Sequence, residues 1–214
     1  MKLLLLSGGM SEESTTTRLV RELSRALMKL ADERSIELEV SAIQIGDLLD
    51  DVSAALAKNL KSEKLKAAER DLASADGLIA GTPVYKAGVA GPFSSFMHVL
   101  DPDVLVGTPV LLAATGGSAR HALVVDTEMR SLFAFMRALA APTAVYATGN
   151  DWGDPDFSKR LKRAAFELLT LMGSGYREAV RGEGWNAYQH AFGSAAQQEI
   201  DFDSEFMRMA RGEV

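Results

Sequence analysis

Cysteine is absent from the 214 residues, and with it go a disulfide framework, thiolate zinc, iron–sulfur clusters and a cysteine nucleophile. Also missing is any run approaching the roughly 18 to 20 apolar residues that a membrane-spanning helix needs, so no membrane partner is expected. Charge of one sign is never concentrated: 23 Lys and Arg stand against 29 Asp and Glu, 23 − 29 = −6, and like charges form no long block. That argues against nucleic acid, whose phosphates call for a basic face. His98, His121 and His190 lack metal-ligand spacing, and no metal site is expected. There is no internal repeat and no low-complexity tract.

What is present is an alternation of short apolar runs with longer helical stripes, the signature of a parallel sheet covered by helices. With 47% hydrophobic residues, the chain is long enough for one well-filled core. The segment MKLLLLSGGM carries too few apolar residues for a signal-peptide core, so it reads as a buried first strand and the expected compartment is the cytoplasm. Further strands are expected at Leu38 to Ile45, Gly77 to Gly81, Pro109 to Thr115 and Thr143 to Ala147. Apolar stripes at helical spacing run through Leu19, Leu23, Leu27 and Leu30, then over Leu65 to Leu72, Phe93 to Leu100 and Leu132 to Leu139. The expectation is an α/β fold, doubly wound, with a five-stranded parallel sheet of order 2-1-3-4-5. A last helix, Phe157 to Met172, closes the sheet before Gly173, Ser174 and Gly175 break the pattern. Residues 1–173 are thus expected as the domain and 174–214 as a helical or extended tail, rich in aromatics and suited to packing on a partner subunit.

In such a sheet ligands bind beyond the carboxyl ends of the strands, and three loops there are unusual. The first, Ser7-Gly8-Gly9-Met10-Ser11-Glu12-Glu13-Ser14-Thr15-Thr16-Thr17, enters a helix and is crowded with hydroxyls. Free amides at a helix N-terminus plus short hydroxyls make a neutral cradle for a terminal phosphate, although Ser14 or Thr15 could equally be a plain helix cap. The Gly-Lys-Ser/Thr of a triphosphate loop and the three-glycine dinucleotide spacing are both absent. The second loop, Gly81-Thr82-Pro83-Val84-Tyr85-Lys86-Ala87-Gly88-Val89-Ala90-Gly91-Pro92, has glycines that let backbone approach a flat ligand; Tyr85 can be a stacking platform or ordinary packing. The third, Ala114-Thr115-Gly116-Gly117-Ser118-Ala119-Arg120-His121, repeats the arrangement. Three such loops at one end of one sheet point together to a ligand site, where any one alone would not.

The segment Thr82-Pro83-Val84-Tyr85-Lys86-Ala87 through Gly91, then Ala114 to Ser118 and His121 to Asp126, resembles the NAD(P)H-dependent FMN reductases of flavodoxin-like fold. Within them it is most similar to the reductases that supply reduced flavin to alkanesulfonate-type monooxygenases. The resemblance covers roughly residues 1 to 145. It implies that Ser11, Ser14 and Thr16 hold the FMN phosphate. It implies that Pro83, Val84, Tyr85 and Lys86 line the isoalloxazine, with Thr115, Gly116, Gly117 and Ser118 at the ring's other edge. NADPH or NADH would deliver hydride to the flavin, a step that the cofactor performs and that needs no protein acid or base. A homodimer or homotetramer is implied, and a flavin-dependent monooxygenase as partner.

The sequence departs from this family at Gly8-Gly9, Ser94 and Thr127, where many relatives carry a basic residue in the first loop, a lysine and an aromatic. Arg120 is the candidate for a nicotinamide phosphate, with a solvated surface arginine as the alternative; Arg18 is a lesser candidate. Asp151, Trp152, Gly153, Asp154 and Pro155 form either a lid over a neighbour's flavin or a plain connection. A quinone or azo reductase with prosthetic FMN would show the same three loops, and a non-enzymatic flavodoxin-like electron carrier is the rival from outside enzymes.

Overall fold

A computed structural model describes residues 1–183. Lys2–Ser7 (β1) runs up the centre of a parallel sheet, between Glu39–Gln44 (β2) and Gly77–Tyr85 (β3), with Pro109–Thr115 (β5) beyond β3. Gly88–Val89 (β4) folds back on the end of β3 as an antiparallel hairpin. The expected order holds, but the fifth position is split. Leu139–Ala140 (β6) pairs with the start of β5 and Val145–Ala147 (β7) with its end. Pro142, which has no amide to donate, lies between the pieces and explains the interruption.

Helices cover both faces. Thr15–Asp32 (α1) and Pro155–Met172 (α6) lie on one side; Leu49–Lys58 (α2), Glu63–Ser74 (α3), Gly91–Val99 (α4) and Arg130–Phe135 (α5) lie on the other. The pleat of β1 sorts its leucines accordingly: Leu3 and Leu5 pack with Leu19, Leu23 and Leu168, whereas Leu4 and Leu6 pack with Val52, Leu65 and Phe93. Both faces being buried is why the strand reads as a continuous apolar run.

One helical expectation needs correction. The stripe over Leu132 to Leu139 is not one helix: α5 ends at Phe135, Arg137 takes a left-handed φ of 56°, and Leu139 opens β6. Upstream, a π-turn over Val125–Met129 leads into α5. α2, which follows a one-turn 3-10 segment at Ile45–Leu48, was not expected, although Leu48, Val52 and Ala55 stand at helical spacing and are buried.

Past Gly175, at φ 71°, the chain forms Tyr176–Glu183 (α7), which lies against the chain's own domain at the amino end of the sheet. The expected tail residues Trp185, Tyr188, Phe192, Phe202, Phe206 and Met209 lie outside the described residues. No helix among the described residues is long and apolar enough to cross a membrane.

Candidate functional site

In a parallel winding every covering helix starts at the carboxyl end of the sheet, so that end collects helix N-termini and their unpaired amides. The first loop is drawn tight there. Gly8 N–H donates to the Gly81 carbonyl at 2.7 Å, and a Cβ on Gly8 would press to 2.8 Å from the Phe93 ring. A Cβ on Gly9 would fall on the Ser14 hydroxyl, closer than any nonbonded contact allows. These approaches account for Gly8-Gly9.

Thr17, only 4% exposed, is the hub of the loop. Its hydroxyl lies 2.8 Å from Ser7 Oγ, 2.9 Å from Ser14 Oγ, 3.0 Å from the Ser11 carbonyl and 3.3 Å from Gln44 Oε1. Gln44 in turn donates its amide to the Gly9 carbonyl. Ser14 caps α1 by accepting Thr17 N–H at 3.1 Å, and the first-turn amides of Thr15 and Thr16 have no intrahelical acceptor. The Thr16 side chain turns away from the loop: it is 1% exposed, and its hydroxyl meets Thr115 Oγ1 at 2.6 Å, tying α1 to β5. Ser11 remains exposed. Glu12 occupies Arg21, so that guanidinium is already paired.

The second loop is a two-residue hairpin in which Val84 faces Val89 and Tyr85 faces Gly88. Lys86 and Ala87 form the turn at φ 53° and 64°, the twin left-handed conformation that normally selects Asn-Gly. Tyr85 is 56% exposed, and Lys86 sits at the exposed tip. In the third loop Gly116 N–H donates to the Ala147 carbonyl at 3.0 Å, and any Cβ on Gly116 would strike the Tyr146 hydroxyl. Tyr146 donates that hydroxyl to the Ser118 carbonyl at 2.8 Å; burial, reinforced by Asp151, pushes its pKa up, so it stays a proton donor. Ser118 Oγ accepts Arg120 N–H at 3.3 Å, and Arg120 itself is exposed.

A fourth loop, after β7, completes the site. Asp151 accepts the Thr148 amide at 2.6 Å and its hydroxyl at 2.7 Å, fixing the turn that presents Trp152. The Arg18 guanidinium lies 4.1 Å above the Trp152 ring and Phe157 meets its edge at 5.7 Å. Because β5 lies between β3 and β7, the loop after β5 becomes a floor with the other two loops on either side. The result is a cleft of ≈ 310 Å³, walled by Pro83, Val84 and Tyr85, by Thr115, Gly116 and Gly117, and by Thr148, Gly149 and Trp152, with Thr15 at the α1 end. Lys86, Ser118 and Arg120 are outside its walls, as are Ser11, Ser14 and Thr16. The β7 loop was missed as part of this site, although it leaves a strand at the same sheet end as the other three. Among the described residues no three acidic or histidine side chains converge as a metal site.

Fold and cleft together define a flavodoxin-like α/β protein with a neutral, hydroxyl-rich helix start beside a glycine-floored slot. Residues 1–153 match the model of the NADPH-dependent FMN reductases, and the chain belongs to that family. It is 36% identical over 186 residues to the NADH-dependent FMN reductase SfnF of Pseudomonas fluorescens strain Pf0-1, covering 85% of this chain and 97% of the relative. An FMN reductase (NADPH) of Pseudomonas aeruginosa is 36% identical over 177 residues, covering 80% and 92%. Among solved structures, an oxidoreductase from Corynebacterium diphtheriae superposes with a TM-score of 0.77 at 39% identity, over 80% of this chain and 96% of that one. An NADH:FMN oxidoreductase in its apo form gives 0.71 at 28%, over 82% and 93%.

Proposed function

We propose that this chain is an NAD(P)H-dependent FMN reductase, with FMN lying in the cleft. The observation that carries the reading is the meeting of four carboxyl-end loops around one slot whose floor, Gly116 and Gly117, has no side chain to obstruct a ring. The residues fit the group. Thr15 and the α1 amides, backed by Ser11 and Ser14, suit a phosphate through neutral donors and the helix dipole. Pro83, Val84 and Tyr85 supply a flat flank, and Trp152 the opposite one. Thr115 is held by Thr16, and Tyr146 holds the Ser118 turn, so the floor is set before a ligand arrives. When bound, FMN supplies the hydride-accepting centre, and the chain's part is to bind it and to leave one face open to a nicotinamide.

The finer assignments follow from the same site. With neutral donors at the phosphate end, FMN is held loosely enough to exchange and acts as a substrate, released in reduced form to a flavin-dependent monooxygenase. The relatives' names divide between NADH and NADPH. Arg18, whose guanidinium lies over the cleft-lining Trp152, is the cation suited to a nucleotide phosphate, with Arg120 beyond the floor loop as the other candidate. A homodimer or homotetramer is supported by one helical face. Leu123 and Phe135 are each 71% exposed, and between them Thr127 and Ser131 turn their hydroxyls back onto their own helix, leaving carbon outward. Action in the cytoplasm, where the dinucleotides are, completes the reading.

The test is steady-state oxidation of NADH and NADPH by flavin-stripped protein while FMN is titrated through and beyond stoichiometry. A rate that climbs with FMN as with a substrate supports the reductase. Saturation at one equivalent, with turnover sustained only by an added quinone, assigns a prosthetic flavin and a quinone reductase instead.

A further inference from the structure

The hairpin that flanks the cleft carries an arrangement that its own residues do not explain. Its turn places Lys86 and Ala87, neither of them glycine or asparagine, in the left-handed region. In a two-residue hairpin the closing pair, Tyr85 and Gly88, exchanges hydrogen bonds, and the next pair, Val84 and Val89, directs its amides and carbonyls away from the ladder. The Val89 amide is therefore left to find a partner outside the hairpin. It finds one 39 residues away: it donates to Glu128 Oε2 at 2.9 Å. The carboxylate lies along the hairpin rather than merely touching it, since a Cβ on Gly88 would be 3.3 Å from Oε2 and 3.6 Å from Oε1. Glu128 comes from the π-turn at Val125–Met129, where Arg130 N–H reaches back to the Val125 carbonyl. Such wide turns commonly mark a side chain that has been re-aimed.

We propose that Glu128 is a positioning residue, holding the β3–β4 hairpin in the conformation that makes Pro83, Val84 and Tyr85 a wall of the cleft. It touches neither the flavin nor the nicotinamide in this assignment; it acts through Val89. The bond is charge-assisted. The proposal rests on the cleft being the flavin site, but the clamp itself is a statement about the hairpin and can be read without flavin.

Two variants of the full chain, Glu128→Ala and Glu128→Gln, are compared with wild type. The first readout is limited trypsin digestion followed by mass spectrometry, because Lys86 at the turn tip is a cleavage site whose accessibility reports hairpin opening. Glu128→Ala is expected to raise the rate of cleavage after Lys86 by about three- to tenfold, with other sites unchanged; Glu128→Gln, which keeps an acceptor oxygen, recovers most of the protection. The second readout is flavin titration: KM for FMN rises by a similar factor in Glu128→Ala while kcat changes by less than about twofold, the split expected for lost uniform binding. Unchanged cleavage at Lys86 in Glu128→Ala overturns the clamp. If Lys86 cleavage rises but wild type binds no FMN, the clamp stands and the functional reading falls.

Discussion

The two ends of the sheet solve opposite problems. Helix C-termini gather at the amino end, where carbonyls lack donors; helix N-termini gather at the carboxyl end, where amides lack acceptors. At the amino end the chain answers with α7. Arg181 donates to the carbonyls of Val106 at 2.9 Å and of Ala73 and Val104 at 3.0 Å, and Arg177 adds a second bond to Ala73 at 2.6 Å. Gly107, at φ 68°, lets the helix close in, with a Cβ there only 3.4 Å from the Arg177 Cα. At the carboxyl end the hydroxyls organise one another around Thr17, and the first-turn amides of α1 have no acceptor within the helix. The same geometric surplus is sealed at one end and kept for a ligand at the other, so stability and binding should respond to different substitutions.

The most direct way to break the carboxyl end alone is Gly9→Ala. Its methyl would displace Ser14 from the cap, and the loop must open. FMN affinity is expected to fall about a hundredfold, near 2.7 kcal/mol of binding, while the flavin-free protein loses only about 1 kcal/mol from the damaged cap. Flavin fluorescence titration and thermal unfolding read the two separately. An affinity unchanged within a factor of about two would remove the first loop from the site.

Arg181→Ala is the converse. It strips donors from three carbonyls of the closing edge, where burial already pulls the Arg181 pKa down from its usual value, with neighbouring Arg177 adding to the shift. The expected loss is about 2 kcal/mol, a fall in Tm of roughly 4–8 °C for a domain of this size. FMN affinity should stay within a factor of about two. A large affinity loss would mean that the two ends are coupled through the sheet.

How much of this was legible beforehand follows the same division. The sheet order, the capped first helix and the three loops were readable, because buried strands and hydroxyl-rich helix starts are written in adjacent residues. Partnerships between distant segments were not. Thr16 looked like a phosphate ligand from its place in a hydroxyl run, yet its depth against β5, and hence its bond to Thr115, depends on how α1 rotates onto the sheet. Its neighbour Thr17 became the hub for the same reason. The loop carrying Trp152 read as either a lid over another subunit or a plain connection, because nothing local shows that Arg18 and Phe157 hold the ring against its own cleft. The fifth strand was expected only at Thr143 to Ala147, after Pro142; the short piece at Leu139–Ala140 before the proline was absorbed into the helical stripe that ends at Leu139.

The smallest expected effect lies in the β7 loop and sharpens the comparison by pH. The Thr148 hydroxyl first, and the Thr148 amide next, hold the Asp151 carboxyl below its ordinary pKa, with Arg160 helping and partial burial opposing. A folded pKa below the unfolded value of about 3.9 means that the charged carboxylate stabilises the fold fully above that value. The contribution is then lost as pH falls through the lower folded pKa. Asp151→Asn should therefore cost about 1 kcal/mol at neutral pH. The gap between wild type and variant should stay flat down to about pH 5 and shrink below about pH 4, when measured by thermal unfolding across that range. Fluorescence in a Trp185→Phe background gives the local reading of Trp152, since the turn that presents the ring should loosen in the variant at pH 7 and in wild type only in acid. A gap that persists undiminished at about pH 3 would assign the turn's stability to packing around Trp152 rather than to the Asp151 charge. The carboxyl end would then owe this wall to Arg18 and Phe157, as the amino end owes its closure to α7.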